Sequence, residues 1–216
     1  AYAYLRDRYA LLPHGASMGD RYGPKLVSRT PLARGEVAGR RIAVPGPLTS
    51  AYLALRLYEP DFTPVFTPFD QIEDAVTSGD VELGLLIHEG QLTFGSRGLH
   101  LVADMGEWWF GETGLPLPLG GNVVRKDLGE ALIAKISRHL RASIAYGLEH
   151  RSMALDHAMQ YARGLQRDQA DTFVGMYVNA WTLDYGPQGR AAIRLLLERG
   201  VAAGVLQGPV SVEFAG

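Results

Sequence analysis

Between residues 40 and 106 the sequence alternates short apolar segments with helical ones, and this alternation restricts the fold more than any other feature. The sequence predicts a helix over residues 49–58, "TSAYLALRLY". The spacing of Asp70 and Glu73 resembles a capping box, which predicts the start of a second, shorter helix. Four segments have the β-branched and large apolar residues typical of strands: "RRIAVP" (40–45), "TPVFTPF" (63–69), "VELGLLI" (81–87) and "GLHLVADMG" (98–106). Strands separated by helices indicate crossover connections, so we predict an α/β fold with a mostly parallel sheet.

After Gly121 the pattern becomes helical. Apolar residues recur at every fourth position from Leu128 to Leu148, which predicts a long amphipathic helix over residues 127–150. Three more helices are predicted near residues 152–163, 169–184 and 188–203, with Gly164 as one of the boundaries. The carboxyl-terminal part is therefore expected to be helix-rich.

An α/β segment flanked by different material indicates two lobes. We predict a larger lobe made of residues 1–33 and 119–216, and a smaller inserted α/β lobe of residues 34–118. The candidate hinges are 24–34 and 114–121, where Pro and Gly adjoin extended apolar stretches. The cleft between two such lobes is the default place for a ligand.

The overall composition argues against several classes of partner. A net charge of −2 over 216 residues gives no general attraction to phosphate backbones or anionic lipid, so neither nucleic acid nor a membrane is expected. No apolar run approaches the roughly 20 residues of a membrane span. The absence of cysteine excludes a thiolate metal site or a cysteine nucleophile, and suits a cytoplasmic protein.

The first candidate site is the start of the helix in "AVPGPLTSAYLAL". Thr49, Ser50 and Ala51 follow the end of a strand, so backbone N–H groups and two hydroxyls gather at the positive end of the helix dipole. This arrangement suits a carboxylate or a phosphate. The alternative is that Thr49 or Ser50 only caps the helix.

The second candidate is His88, which directly follows the strand "VELGLLI". If that strand is parallel to its neighbours, His88 lies at the same edge of the sheet as Thr49, Ser50 and Ala51, where open α/β sheets bind ligands. A histidine there can act as a general base, with Glu89 either orienting the ring or exposed to solvent. The alternative is a loop histidine bonded to backbone groups. No pair of histidines has a recognisable zinc spacing, so no metal is expected.

Four stretches together resemble one family. "AVPGPLTSAYLAL", "GLLIHEGQLTF", "DMGEWWFGETGLPLPLG" and "YVNAWTLDYG" are similar, in order and spacing, to the menaquinone-biosynthesis proteins of the futalosine pathway, and most closely to the 1,4-dihydroxy-6-naphthoate synthases. The resemblance implies a two-lobed fold of the periplasmic-binding-protein type (type II), with the ligand in a central cleft.

The same resemblance implies an activity. It indicates a carbon–carbon lyase that converts cyclic dehypoxanthinyl futalosine to 1,4-dihydroxy-6-naphthoate without a metal or an organic cofactor. The histidine of the "IHE" motif, taken as the base in this family, falls on His88. The Ser50 hydroxyl and the Ala51 N–H would hold the substrate carboxylate, with Thr49 beside them.

Other expectations stay open at this point. Nothing in the chain matches the two strand–helix units with which family members begin, so we expect it to start partway into the fold. The rival functions are chorismate dehydratase of the same pathway and a non-catalytic solute-binding protein. The partners expected are a small carboxylate substrate and, as an open alternative, a second copy of the chain in a homodimer.

Overall fold

The computed structural model describes residues 1–161 and 166–216. The strands are β1 (Tyr9–Leu11), β2 (Ser17–Gly19), β3 (Lys25–Ser28), β4 (Arg41–Val44), β5 (Thr63–Phe66), β6 (Leu83–Leu86), β7 (His100–Asp104), β8 (Leu117–Gly120) and β9 (Val123–Arg125). The helices are α1 (Ser50–Tyr58), α2 (Ile72–Ser78), α3 (Gly90–Thr93), α4 (Met105–Thr113), α5 (Glu130–Glu149), α6 (Arg151–Met159), α7 (Arg167–Tyr177), α8 (Ala180–Leu183) and α9 (Gly186–Ala202).

The chain divides into two compact units that are each built from separate segments. The first unit comprises Ala1–Gly19, Pro118–Leu195 and Pro209–Gly216. The second comprises Asp20–Leu117 and Leu196–Gly208. None of the helices within residues 1–161 and 166–216 is long and apolar enough to cross a membrane.

The second unit is built on a five-stranded sheet with the order β5-β4-β6-β3-β7. β4 is parallel to both β5 and β6, whereas β3 is antiparallel to β6 on one side and to β7 on the other. The four predicted strands β4 to β7 therefore all run in one direction. β3 makes the sheet mixed, because it runs antiparallel to both of its neighbours. The segment 24–34, which was expected to be a hinge, therefore contains a strand that is hydrogen-bonded on both edges.

Helices cover the apolar side chains of this sheet. α2 packs on it through Ile72 and Val76, which join Val27, Ala43 and Leu86 in one buried cluster. The close approach depends on a glycine in β6, because a Cβ at Gly84 would lie 2.6 Å from a methyl carbon of Val76.

Helix α4 packs closely against α1 and was not predicted from the sequence. Trp109 of α4 is fully buried, and its indole Nε1 donates to the carbonyl oxygen of Pro116 at 3.1 Å. The neighbouring ring of Trp108 meets Tyr58 of α1 edge-on at 5.5 Å. The two tryptophans therefore pack within the second unit and do not form an exposed surface for a ligand.

The first unit combines two short sheets with helices. β1 pairs antiparallel with β9, and Ala10 and Val124 from these strands share a buried cluster with Leu12 and Ile133 of α5. β2 pairs with β8 in the other sheet.

The helices of this unit follow the predicted order, with one break. The helix expected over 169–184 is two helices, because Asn179 leaves the helical conformation after α7 and its side-chain oxygen accepts a hydrogen bond from the N–H of Trp181 at 3.0 Å to cap α8. The predicted boundary at Gly164 lies outside the described residues.

The two units differ in their bounds from the predicted lobes of 1–33 with 119–216 and 34–118. β3 falls in the predicted segment 1–33, but its hydrogen bonds are with strands of the second unit. Residues 196–208 also belong to that unit. Leu53 and Leu206 pack against Gly200, which has no side chain. A Cβ at Gly200 would lie 3.0 Å from Leu53 and 2.8 Å from Leu206. The lobe division stays a prediction for the functional protein.

Candidate functional site

The sheet of the second unit brings the predicted site residues to one edge. Because β4, β5, β6 and β7 run in the same direction, their carboxyl ends lie together at what we call the carboxyl edge. The loop to Thr49 leaves β4 there, and His88 follows β6 there. β3 runs the opposite way, so its first residue, Lys25, lies at the same edge, paired with Leu86 and Asp104.

At the start of α1 the three predicted ligand-binding residues have different surroundings. The hydroxyl oxygen of Thr49 accepts a hydrogen bond from the N–H of Tyr52 at 3.1 Å, and the hydroxyl donates to the carbonyl oxygen of Gly46 at 2.9 Å. Thr49 is therefore the helix cap, which was the alternative interpretation for this residue. Ser50 is half-buried and Ala51 is buried in the first turn, where N–H groups point out of the helix.

His88 is exposed and lies two residues beyond the end of β6. Its backbone has a φ of +60°, a left-handed conformation that is uncommon for a residue with a side chain. The N–H of Gln91 donates to the carbonyl oxygen of His88 at 3.2 Å, so the backbone turns at once into α3. The ring of Phe69, in the loop after β5, lies 4.6 Å from the imidazole between centroids.

Glu89 is part of this turn, and Glu73 of α2 lies close to it. Glu89 is half-buried, and its carbonyl oxygen accepts a hydrogen bond from the N–H of Leu92 at 2.9 Å. The Oε1 atom of Glu73 is buried without a hydrogen-bond partner among the described residues, and a Cβ at Gly90 would lie 3.5 Å from it. Burial raises the pKa of the Glu73 carboxyl; the negative charges of Asp74 and Glu89 add to this rise, and Arg97 opposes it.

The capping-box interpretation of Asp70 and Glu73 is wrong. α2 begins at Ile72 after Gln71, and no side chain caps it. Glu73 instead turns toward the segment that carries His88, and this contact between distant parts of the chain has no signature in the local sequence.

The carboxyl edge also contains an ion pair that the sequence did not predict. The ammonium of Lys25 lies 2.6 Å from Oδ2 of Asp104, and the two side chains are 17% and 1% exposed. The other oxygen of Asp104 accepts hydrogen bonds from the N–H groups of Gly106 at 2.8 Å and Glu107 at 3.2 Å, which caps α4. The capping signal in "DMGE", an aspartate with a glutamate three residues later, was present in the sequence.

No group of three or more His, Asp or Glu side chains within the described ranges, 1–161 and 166–216, lies close enough together to hold a metal ion. The chemistry available at the carboxyl edge is that of an exposed imidazole and a helix amino terminus. This combination can accept a proton and bind an anionic group.

Comparison with solved structures identifies the class of fold. The alkanesulfonate-binding protein of Xanthomonas axonopodis pv. citri, solved bound to MOPS, superposes with a TM-score of 0.65 at 14% identity, over 95% of this chain and 72% of that one. A crystal structure of an Archaeoglobus fulgidus protein superposes with a TM-score of 0.90 at 44% identity, over 94% of this chain and 76% of that one. The fold is therefore of the α/β, periplasmic-binding-protein class, as predicted.

The sequence comparisons are more specific. The sequence model of the menaquinone-biosynthesis family matches residues 1–202. A Thermus thermophilus protein named 1,4-dihydroxy-6-naphthoate synthase is 46% identical over 94% of this chain and 75% of its own length. A Streptomyces coelicolor protein with the same name is 38% identical over 98% of this chain and 77% of its own. The chain belongs to the menaquinone-biosynthesis family, and the resemblance seen in the sequence is confirmed.

Proposed function

We propose that this chain is a lyase that converts cyclic dehypoxanthinyl futalosine to 1,4-dihydroxy-6-naphthoate in menaquinone biosynthesis. The observation that carries the proposal is that His88 and the start of α1 lie at one edge of the sheet. Relatives at 46% and 38% identity that are named 1,4-dihydroxy-6-naphthoate synthase support the same reaction.

His88 is the general base in this proposal. Its imidazole removes a proton from a sugar-derived hydroxyl of the substrate, and the resulting alkoxide collapses to a carbonyl as the adjacent carbon–carbon bond breaks. The electron pair of that bond passes into the bicyclic ring system, which becomes the aromatic naphthalenediol. General-base catalysis of this kind contributes about 10²- to 10⁴-fold in rate, and aromatisation drives the cleavage forward.

The amino terminus of α1 holds the substrate carboxylate. The Ser50 hydroxyl and the Ala51 N–H lie in the first turn, where the helix dipole favours a negative charge. Thr49 acts beside them by fixing the start of the helix, because its hydroxyl is already engaged by Tyr52 and Gly46. Anchoring the carboxylate orients the reacting hydroxyl toward His88.

The cellular location is part of the proposal. We infer a cytoplasmic enzyme, because the proposed substrate and product are small biosynthetic intermediates and because the sequence contains no cysteine.

Turnover of defined substrates tests this function against both rivals. The purified protein is incubated separately with cyclic dehypoxanthinyl futalosine and with chorismate, and the products are separated by liquid chromatography. We expect 1,4-dihydroxy-6-naphthoate from the first and no conversion of the second. Conversion of chorismate alone would assign the dehydratase reaction, and binding of either compound without conversion would assign a solute-binding protein.

A further inference from the structure

Glu73 is a carboxylic acid that lies close to the proposed base. It is in the first turn of α2, which follows the end of β5 at the carboxyl edge. Two contacts bring this segment to the turn that follows β6. The rings of Phe69 and His88 lie 4.6 Å apart between centroids, and a Cβ at Gly90 would lie 3.5 Å from Oε1 of Glu73. The Glu73 carboxyl group is therefore a second ionisable group beside the turn that carries His88.

The two carboxyl oxygens of Glu73 have different surroundings. Oε1 is buried without a hydrogen-bond partner among residues 1–161 and 166–216. Oε2 is not one of the buried unpartnered atoms in those ranges and makes no hydrogen bond there, so it is the oxygen through which this half-buried side chain reaches the surface. Buried polar atoms without a partner are rare in folded proteins, and a catalytic role is one physical reason for keeping one.

The charges around Glu73 favour its protonated form. Burial raises the pKa of the Glu73 carboxyl, and the negative charges of Asp74 on the same helix and of Glu89 in the turn raise it further. The guanidinium of Arg97, in the 3-10 turn Phe94–Arg97, lowers this pKa, but Arg97 is also paired with Asp74. A carboxyl group that retains its proton above the usual pH range of a glutamate is suited to general-acid catalysis.

The proposed cleavage needs an acid as well as a base. A retro-aldol-like cleavage requires a carbonyl on the carbon next to the breaking bond, because the electron pair of that bond must end on the carbonyl oxygen. As the ring becomes aromatic, this oxygen becomes a hydroxyl of the naphthalenediol and must gain a proton. An acid that donates this proton during the cleavage prevents the build-up of a full negative charge on the oxygen.

We propose that Glu73 is the catalytic acid that donates this proton from Oε2 to the ring oxygen of the substrate. The proposal rests on the proposed function, in which His88 is the base. His88 gains the proton of the sugar-derived hydroxyl as Glu73 loses its own, so the total number of protons on the two residues is unchanged. After product release, transfer of one proton from His88 to Glu73 through water restores the starting state.

The Glu73→Gln variant tests this role, because an amide keeps the size of the side chain but cannot give up a proton. We expect kcat for cyclic dehypoxanthinyl futalosine to fall at least about 10-fold, while KM changes less than about threefold. The control is Glu112→Gln, which removes the same charge from an exposed position on α4 and should leave both constants unchanged. A wild-type kcat in Glu73→Gln would overturn the proposal, and so would an increase in KM alone, because Glu73 would then only bind the substrate.

The pH dependence of kcat separates proton donation from a structural effect on the turn. An acid acts only while it is protonated, so the wild-type kcat should decline on the alkaline side as Glu73 ionises. In Glu73→Gln this decline should be absent, although kcat is lower at every pH. A decline like that of the wild type in Glu73→Gln would overturn the proposal even if kcat is reduced. A wild type that does not convert the substrate would contradict the proposed function and the role of Glu73 with it, whereas wild-type turnover with an unaffected Glu73→Gln overturns only the role of Glu73.

Discussion

The surroundings of Glu73 disfavour the charged form of its side chain. Its Oε1 atom is buried without a partner among the described residues, and two negative side chains, Asp74 and Glu89, lie near it. A buried carboxylate that lacks a hydrogen bond is costly in its charged form. This side chain packs against the turn that carries His88, since a Cβ at Gly90 would lie 3.5 Å from its Oε1 atom.

Replacement of Glu73 by Gln should stabilise the protein in a pH-dependent way. The pKa of Glu73 is raised, so folding favours the protonated form, and the ionised form present near neutral pH is destabilising. We expect Glu73→Gln to raise Tm by roughly 1–3 °C at about pH 7. As the pH falls through the raised pKa the difference should shrink, and it should disappear below the ordinary pKa of a glutamate, where the side chain is neutral in both the folded and the unfolded state.

Thermal unfolding at several pH values measures this effect, and Glu112→Gln is the control because Glu112 is exposed on α4. A Glu73→Gln variant that is less stable than wild type at neutral pH would mean that the carboxylate makes a favourable contact and would contradict the prediction.

At the scale of elements, Asp104 joins a strand to a helix. It ends β7, caps α4 with one oxygen and binds the Lys25 ammonium of β3 with the other. We expect Asp104→Ala to lower the free energy of unfolding by about 3–5 kcal/mol, because it leaves the largely buried ammonium unpaired and the helix uncapped.

Chemical denaturation measures this loss, with Glu213→Ala as the matched control. Glu213 pairs with Lys126 at the same 2.6 Å, but its side chain is 57% exposed, so its removal should cost less than about 1 kcal/mol. Equal losses in the two variants would show that burial of the Lys25–Asp104 pair does not matter.

The elements with strong local patterns were predictable from the sequence. β4, β5, β6, β7 and α1 have apolar periodicity and clear end signals, and the sequence alone was enough to place His88 and the start of α1 at one edge. The sequence predicts a hinge rather than a strand at β3, because the residues around it contain Pro24 and Pro31 and because its hydrogen-bond partners lie far along the chain. In α4, Gly106 and Gly111 lower the helix propensity of the sequence. Burial of Trp109 stabilises the helix enough to overcome this low propensity.

At the scale of the whole molecule, the sequence predicted the class of fold but could not supply the contacts between distant segments. The chain leaves the first unit at Gly19 and returns at Pro118, and residues 196–208 belong to the second unit again. Residues 196–208 are held to the second unit by packing of Leu53 and Leu206 around Gly200. No local sequence pattern predicts this contact. The contacts of Phe69 with His88 and of Glu73 with the turn at Gly90 could not be predicted for the same reason.

The central claim is that His88 at the carboxyl edge is the base, and the His88→Gln variant tests it most directly. The measurement is kcat for cyclic dehypoxanthinyl futalosine, together with binding of 1,4-dihydroxy-6-naphthoate. The control is His100→Gln, because His100 is also exposed but begins β7 at the opposite end of the strand. We predict that His88→Gln loses at least about 100-fold in kcat and still binds the product, while the control is unaffected. Turnover by His88→Gln within about twofold of wild type would contradict the general-base assignment.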